Sequence, residues 1–189
     1  MILASQSPRR RELLGLFCPE FEVMPAQGEE LLPDGISPRD AVMLLSKQKA
    51  EEISARKFPD GNITDTIVAA DTIVATDGEI LGKPKSQEHA AEMLRCLSGR
   101  VHSVFTGVTL ITPKTSVTFA EETLVEFYPL TAQEIADYTA TGEPMDKAGA
   151  YGIQGRGALL VKRIEGDYYN VMGLPAGEVY HRLKELGAL

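Results

Sequence analysis

The segment that most constrains the fold is TIVAADTIVA, Thr66–Ala75, in which small and β-branched apolar residues surround a single carboxylate, Asp71. This composition favours extended backbone, so the segment predicts a β-strand. A carboxylate in the middle of such a strand must lie in the interior or at a cleft, where an unpaired charge is costly. Asp71 therefore needs a cation, a metal ion or a proton as its partner. Two interpretations remain open: structural pairing with an arginine, and a catalytic or metal-binding role.

Helix starts are marked by capping residues. Ser7 and Ser37 each precede a proline, and this pair predicts helices that run to about Phe17 and to Lys57. Further helices are predicted from Ser86 to Gly99, from a capping box at Thr131 and Glu134 to Gly142, and over Pro175–Leu186.

Strands are predicted between these helices, with a hairpin turn at Asp77-Gly78. The remaining strands are Met1–Ser5, Phe21–Pro25, Glu79–Leu81, Val101–Thr112, Ser116–Tyr128 and Ala158–Ile164, and Glu143–Gly157 is a loop. Because strands and helices do not alternate regularly, we expect an α/β fold on a curved mixed sheet with flanking helices. A doubly wound nucleotide-binding fold is disfavoured. The length of 189 residues fits a single domain, 1–189, or one domain with two lobes around a cleft.

The composition excludes several classes of protein. A net charge of −8 argues against binding nucleic acid through a general basic field, although a local basic cluster can still bind a small anion. Cys18 and Cys96 are the only cysteines and lie far apart, so neither a disulfide framework nor a cysteine-rich zinc site is expected. The first residues are too short an apolar run for a signal peptide, and no stretch reaches membrane-spanning length. The expected location is the cytoplasm.

Arg9 and Arg10 stand in the first turn of the helix that begins at Pro8. A helix N-terminus disfavours each cation by about 0.3–1 kcal/mol, but it attracts phosphate. A bound anion would reverse that cost, because arginine forms bidentate bonds with phosphate oxygens. The alternative is a solvated basic turn paired with surface acids.

Lys49 lies in an otherwise apolar row of the second helix, with Val42, Leu45 and Ile53 at three- and four-residue steps. Its ammonium group either snorkels to the helix edge or points into a cleft toward an anion.

Three further positions could complete a site. Glu29 and Glu30 are paired acids that are either solvated or, if they lie near Asp71, oxygen ligands for a hard cation such as Mg²⁺. Lys83, in Gly-Lys-Pro, is a second candidate for binding phosphate or simply part of a turn. Gln154, in a glycine-rich loop, has the donor and acceptor groups needed to read the edge of a base.

Taken together, these segments closely resemble the Maf family, the septum formation protein type of nucleoside triphosphate pyrophosphatase. The resemblance runs in family order from one end of the chain to the other. It is carried by LASQSPRRRELL (Leu3–Leu14), QKA around Lys49, AADTIV (Ala69–Val74), GEILGKP (Gly78–Pro84), LSGRVHSVFTGV (Leu97–Val108), EPMDKAGAYGIQGRGA (Glu143–Ala158) and NVMGLP (Asn170–Pro175).

The resemblance implies a fold like that of inosine-triphosphate pyrophosphatases with a central cleft, and a homodimer. It implies hydrolysis of a nucleoside triphosphate at the α-phosphate, giving the monophosphate and pyrophosphate, with Mg²⁺ or Mn²⁺. Asp71 would be the general base and, with Glu29, would hold the metal. The substrate-binding positions of the family fall on Ser5, Arg9, Arg10, Lys49, Thr72, Lys83 and Gln154.

The branch of the family follows from three of these positions. Arg9, Thr72 and Gln154 match the branch that hydrolyses dTTP and UTP, which can also take modified pyrimidine nucleotides; the 7-methyl-GTP branch has glutamine directly after the aspartate. The alternative function is that of a non-catalytic, nucleotide-sensing regulator of cell division.

Overall fold

The computed structural model describes residues 1–189, and its centre is one mixed seven-stranded sheet. The strands are β1 (Ile2–Leu3), β2 (Glu22–Val23), β3 (Ile67–Thr76), β4 (Glu79–Leu81), β5 (Val101–Ile111), β6 (Ser116–Phe127) and β7 (Val161–Glu165). Six of them lie in the order β2-β1-β3-β5-β6-β7, and β4 pairs with β3. β1 runs parallel to β2 and β3, and every other pairing is antiparallel. The expected α/β fold on a mixed sheet is confirmed.

Helices cover both faces of this sheet. They are α1 (Pro8–Gly15), α2 (Pro38–Lys57), α3 (Gln87–Leu97), α4 (Ala132–Thr139), α5 (Tyr168–Met172) and α6 (Ala176–Glu185). Alternate residues of β3 point to opposite faces. Ile73 packs with α2 on one face, whereas Val68 packs with α1 and α6 and Val74 with α3 and α4 on the other. The sheet is therefore the middle layer of three, and β3 is buried on both sides.

Gly107 of β5 lets α2 lie unusually close to the sheet. A Cβ at this position would stand 2.2 Å from the carbonyl oxygen of Val42, so only glycine fits under the helix. Gly107 is also the cross-strand partner of Asp71. The close approach brings Lys49, two turns after Val42, over the carboxylate of β3.

A gap in the sheet lies beside the middle of β3. On one side of β3, β1 pairs with Ile67 and Val68, and β4 pairs with residues 74–76. The part of β3 between them, which contains Asp71 and Thr72, has no strand neighbour on that side. The missing pairing opens the sheet to a cleft at the predicted carboxylate.

The predicted helix starts are confirmed. The side chains of Ser7, Ser37, Ser86 and Thr131 each accept a hydrogen bond from a backbone N–H of the first turn, and the capping box at Thr131 is complete. No helix of the structure combines the length and apolar character that a membrane crossing requires.

Several element boundaries were predicted wrongly. The strands expected at Met1–Ser5 and Phe21–Pro25 shrink to two residues each, because β1 leaves the ladder where the gap begins. The strand expected at Ala158–Ile164 starts at Val161, since Gly155, at a φ of +62°, turns the chain into a short 3₁₀ segment through Leu159. The short helix α5 was not predicted.

Candidate active site

A cleft of about 640 Å³ lies at the gap beside β3, within the usual size range of ligand sites. The sheet, α1 and α2 form one wall, and the loops around Lys83 and after α4 form the other. The polar side chains that line it are Ser7, Arg9, Arg10, Glu30, Lys49, Asp71, Thr72, Lys83, Glu143, Asp146, Lys147, Tyr151 and Gln154.

Lys49 joins two carboxylates of the cleft, the buried Asp71 and the largely exposed Glu30. Its ammonium group donates a hydrogen bond to Oδ1 of Asp71 and lies 2.8 Å from Oε1 of Glu30. Asp71 is only 9% exposed, so this partner compensates for the cost of its burial. The side chain of Lys49 points into the cleft and does not snorkel, and the partner of Asp71 is a lysine, where one interpretation of the sequence had an arginine.

Glu30, and not Glu29, is the loop acid whose carboxylate reaches the ammonium group of Lys49. Burial acts to raise the pKa of Glu30, but the hydrogen bond and charge of Lys49 outweigh it and hold the pKa below its ordinary value. Glu29 is exposed and does not line the cleft. The structure thus brings Glu30 to Lys49 and leaves Glu29 outside the cleft, because nothing in a loop of two adjacent acids tells which side chain turns inward. The metal-binding role of Glu29 stays a prediction.

Arg10 is fixed by the protein at three of its nitrogen atoms. Nε donates to the carbonyl of Gly173 at 2.7 Å, Nη1 to Oγ of Ser5 at 3.2 Å and Nη2 to Oγ1 of Thr72 at 3.0 Å. Burial lowers the pKa of Arg10, and the charge of Asp71 partly opposes this. Ser5 is buried behind Arg10 and does not line the cleft. Its hydroxyl accepts hydrogen bonds from Arg10 and from the backbone N–H of Ser7, each at 3.2 Å.

Three other predicted residues reach the cleft with few or no partners. Lys83 and Gln154 are exposed and make no side-chain hydrogen bond or ion pair within the protein. Arg9 has only a loose ion pair with Asp146, in which Nη1 and Oδ2 are 3.7 Å apart. These groups are available to a ligand at little cost in existing contacts.

Glu143 was missed in the sequence, although it opens the segment EPMDK. Its carboxylate accepts the hydroxyl of Tyr138 at 3.0 Å and the backbone N–H groups of Arg156 and Gly157 at 3.1 and 3.2 Å. A Cβ at Gly155 would lie 2.8 Å from Oε2 of Glu143, so the loop closes directly on the carboxylate. Glu143 thereby holds the loop that carries Gln154.

Comparison with known proteins identifies the family of this chain. The sequence model of the family described as "Maf-like protein" matches residues 1–186. The chain belongs to the Maf family. Curated relatives of this Maf protein named "dTTP/UTP pyrophosphatase" are each 50% identical to it.

The likeness extends over nearly the full length of each chain. The relative from Geobacillus sp. (strain WCH70) matches over 187 residues, 99% of this chain and 98% of its own. The relatives from Carboxydothermus hydrogenoformans and Bacillus velezensis cover 98% of this chain and 97% and 95% of their own. Among solved structures, the Staphylococcus aureus Ham1 protein matches with a TM-score of 0.44 and 17% identity, over 67% of this chain and 70% of its own, a likeness too loose to bear on the fold.

The cleft of this Maf protein contains no cluster of three or more His, Cys, Asp or Glu side chains arranged to hold a metal ion. It does bring the carboxylates of Asp71 and Glu30 to the same lysine. Mg²⁺ in proteins is commonly bound by one or two carboxylates together with substrate phosphates and water. The two acids therefore fit a divalent ion that arrives with a polyphosphate.

Proposed function

We propose that this protein is a nucleoside triphosphate pyrophosphatase that hydrolyses dTTP and UTP to the monophosphate and pyrophosphate. The names of relatives at 50% identity over nearly the whole chain support this proposal. The proposal includes modified pyrimidine nucleotides as substrates, because the cleft is open and its loop wall is lined by exposed side chains.

The observation that carries the proposal is a buried carboxylate that shares one cleft with cations that have weak partners or none. Asp71 lies at the bottom beside Lys49, while Arg9 and Lys83 stand at the rim with weak or absent partners. A triphosphate chain supplies the negative charge that these cations lack. A polyanion next to Asp71 is in turn tolerable only where cations lie between them.

The mechanism follows from which atoms are free. Lys49 takes Oδ1 of Asp71, which leaves Oδ2 without a partner and able to accept a proton. Asp71 removes a proton from a water molecule as the water oxygen bonds to the α-phosphorus, and the bond from that phosphorus to the bridging oxygen breaks to release pyrophosphate. Lys83 and Arg9 neutralise the charge of the triphosphate chain, in the bound substrate as well as in the departing pyrophosphate.

A divalent metal ion, Mg²⁺ or Mn²⁺, would be held by Asp71 and Glu30. When bound, it would polarise phosphate oxygens and lower the pKa of a coordinated water. Lys49 offsets the charge of both carboxylates and orients them toward the cleft. Arg10, which donates to Gly173, Ser5 and Thr72, holds the start of α1 against β3.

A product assay tests the reaction. The purified protein is incubated with dTTP, UTP, CTP, GTP and 5-methyl-UTP in the presence of Mg²⁺ or Mn²⁺, and the products are identified by phosphorus NMR. We expect pyrophosphate and nucleoside monophosphate, fastest from the thymine and uracil nucleotides. Release of orthophosphate would place the attack at the terminal phosphate and overturn the proposal, and tight nucleotide binding without any product would favour a nucleotide-sensing regulator.

We also propose that the enzyme works in the cytoplasm, where its substrates are made, and that it is a homodimer. Light scattering of the purified protein measures the dimer directly, and a mass of one chain would contradict it.

A further inference from the structure

A row of hydrogen bonds leads from α1 through the cleft into the core. Nη2 of Arg10 lies 3.0 Å from Oγ1 of Thr72, which lies 2.9 Å from Oγ1 of Thr106, which lies 2.9 Å from the carbonyl oxygen of Asn170. Thr72 and Thr106 are directly opposite each other on β3 and β5. Thr72 lines the cleft, whereas Thr106 is fully buried.

The chemistry of the two ends fixes the direction of every bond in the row. A guanidinium group only donates, and a carbonyl oxygen only accepts. Thr106 must give its single proton to the carbonyl of Asn170, so it can only accept from Thr72. Thr72 therefore gives its proton to Thr106 and accepts one from Arg10. What remains on the Thr72 hydroxyl is one acceptor lone pair and no proton.

Both ends of the row are held in place. The side-chain amide of Asn170 donates to the carbonyl of Val104 and to Oγ1 of Thr123, each at 3.0 Å, and Asn170 is fully buried. At the other end, Arg10 also donates to Gly173 and Ser5. The carbonyl of Asn170 also accepts the N–H of Gly173 at 2.9 Å. Reversing the row would therefore leave the carbonyl with one donor, but it would set the oxygens of Thr106 and Asn170 against each other with no proton between them, which is costly.

We propose that Thr106 sets the base preference of the enzyme by holding the Thr72 hydroxyl as a pure acceptor for a ring N–H group. This rests on the proposed function. Thymine and uracil share an imide N3–H that can donate to Thr72. Cytosine has an unprotonated N3, so its lone pair would face the lone pair of Thr72. The row thus selects imide-bearing pyrimidines over cytosine nucleotides through a residue that does not line the cleft, and Thr106 is a positioning residue.

The test compares kcat/KM for UTP and CTP in the wild-type enzyme and in Thr106→Val. Valine removes the acceptor for the Thr72 proton, so the hydroxyl can turn and donate to cytosine. We expect the UTP:CTP ratio to fall about tenfold or more, close to the effect of one hydrogen bond. Thr106→Ser restores the hydroxyl and should keep the wild-type ratio.

Thr109→Val is the matched control. Thr109 is a buried threonine of the same strand, and its hydroxyl contacts Ser46 and Thr118, away from Thr72. It should lower stability without changing the ratio. A folded Thr106→Val enzyme with the wild-type ratio would overturn the proposal, as would an equal change in the Thr109 variant.

A second measurement needs no variant. N3-methyl-UTP lacks the imide donor, and we expect its kcat/KM to be at least about tenfold below that of UTP, while 5-methyl-UTP is used normally. Equal use of N3-methyl-UTP would also overturn the proposal. If no nucleotide yields pyrophosphate, the proposed function is contradicted instead. The UTP:CTP preference is then measured as a ratio of binding affinities by calorimetry. An unchanged affinity ratio in Thr106→Val would contradict the proposed role of Thr106.

Discussion

The two walls of the cleft differ in how far their polar groups are already bound to the protein. On the sheet wall, Asp71, Lys49 and Arg10 are tied to one another or to neighbouring strands and helices. On the loop wall, Lys83 and Gln154 have no side-chain partner. These three groups of the sheet wall are therefore preorganised for chemistry. Lys83 and Gln154 on the loop wall are free to bind a ligand, as is Arg9 at the start of α1. Substitutions on the sheet wall should lower kcat, whereas those on the loop wall should raise KM.

The strongest way to test this contrast is Asp71→Asn, for which we expect the largest effect. The amide keeps the size of the side chain but cannot accept a proton as a general base. We expect kcat to fall by at least about 100-fold with little change in KM. Steady-state kinetics with dTTP, together with circular dichroism to show that the fold is retained, measures this. A decrease of only a few fold would remove Asp71 from the proton transfer.

Glu143→Gln tests whether the loop wall depends on a single internal anchor. The wild-type carboxylate accepts three hydrogen bonds, from Tyr138 and from the N–H groups of Arg156 and Gly157. An amide NH₂ would face one of these donors, so we expect a loss of about 3 kcal/mol in the free energy of unfolding.

Glu134→Gln is a control on the exposed capping box of α4, away from the cleft, and should cost no more than about 1 kcal/mol. Urea denaturation measures both variants. Equal losses in the two would mean that Glu143 is not an anchor of the loop.

The sheet wall was predictable from sequence because its signals are local. An acid inside the apolar segment around Asp71 and a lysine inside the apolar row of α2 each stand out against their neighbours, and a buried charge demands a partner. On the loop wall, only the exposed residues Lys83 and Gln154 were predicted from the sequence. Glu143 binds backbone N–H groups thirteen and fourteen positions away, and no spacing pattern marks such a contact.

The position of the cleft itself could not be predicted from sequence. It depends on where β1 stops and β4 begins along β3, which is a matter of tertiary register. The sequence could not tell which of Glu29 and Glu30 reaches Lys49 for a related reason, since side chains in an irregular loop follow no period that assigns them to a face. The row of hydrogen bonds through Thr106 was also missed, because the sequence of a strand does not show which partner the hydroxyl of a threonine binds.

His102 joins the two walls and makes stability depend on pH. Its Nε2 lies 2.7 Å from the hydroxyl of Tyr151, which lines the cleft, and burial lowers the pKa of His102 to about 4. Below the ordinary pKa of about 6.5 the unfolded chain is protonated at His102, but the folded chain is not until about pH 4. Stability should therefore fall with decreasing pH across this window, by about 2 kcal/mol at pH 5.

His102→Gln removes this titration while leaving an acceptor for Tyr151. Denaturation at pH 7 and pH 5 should show a smaller decrease in the variant than in the wild type. The same decrease in both proteins would assign the pH dependence to carboxylates.

The smallest expected effect comes from Lys83→Ala on the loop wall. The ammonium group has no partner in the folded protein, so its removal should leave the free energy of unfolding unchanged within about 0.5 kcal/mol. It should raise KM for dTTP about tenfold, close to the loss of one charged contact with phosphate. Lys85→Ala is the matched control, since Lys85 is an exposed lysine two positions later that does not line the cleft, and its KM should stay at the wild-type value. If Lys83→Ala lowers kcat and leaves KM unchanged, this lysine acts on the transition state alone, and the division of the cleft into a chemical wall and a binding wall is wrong at that residue.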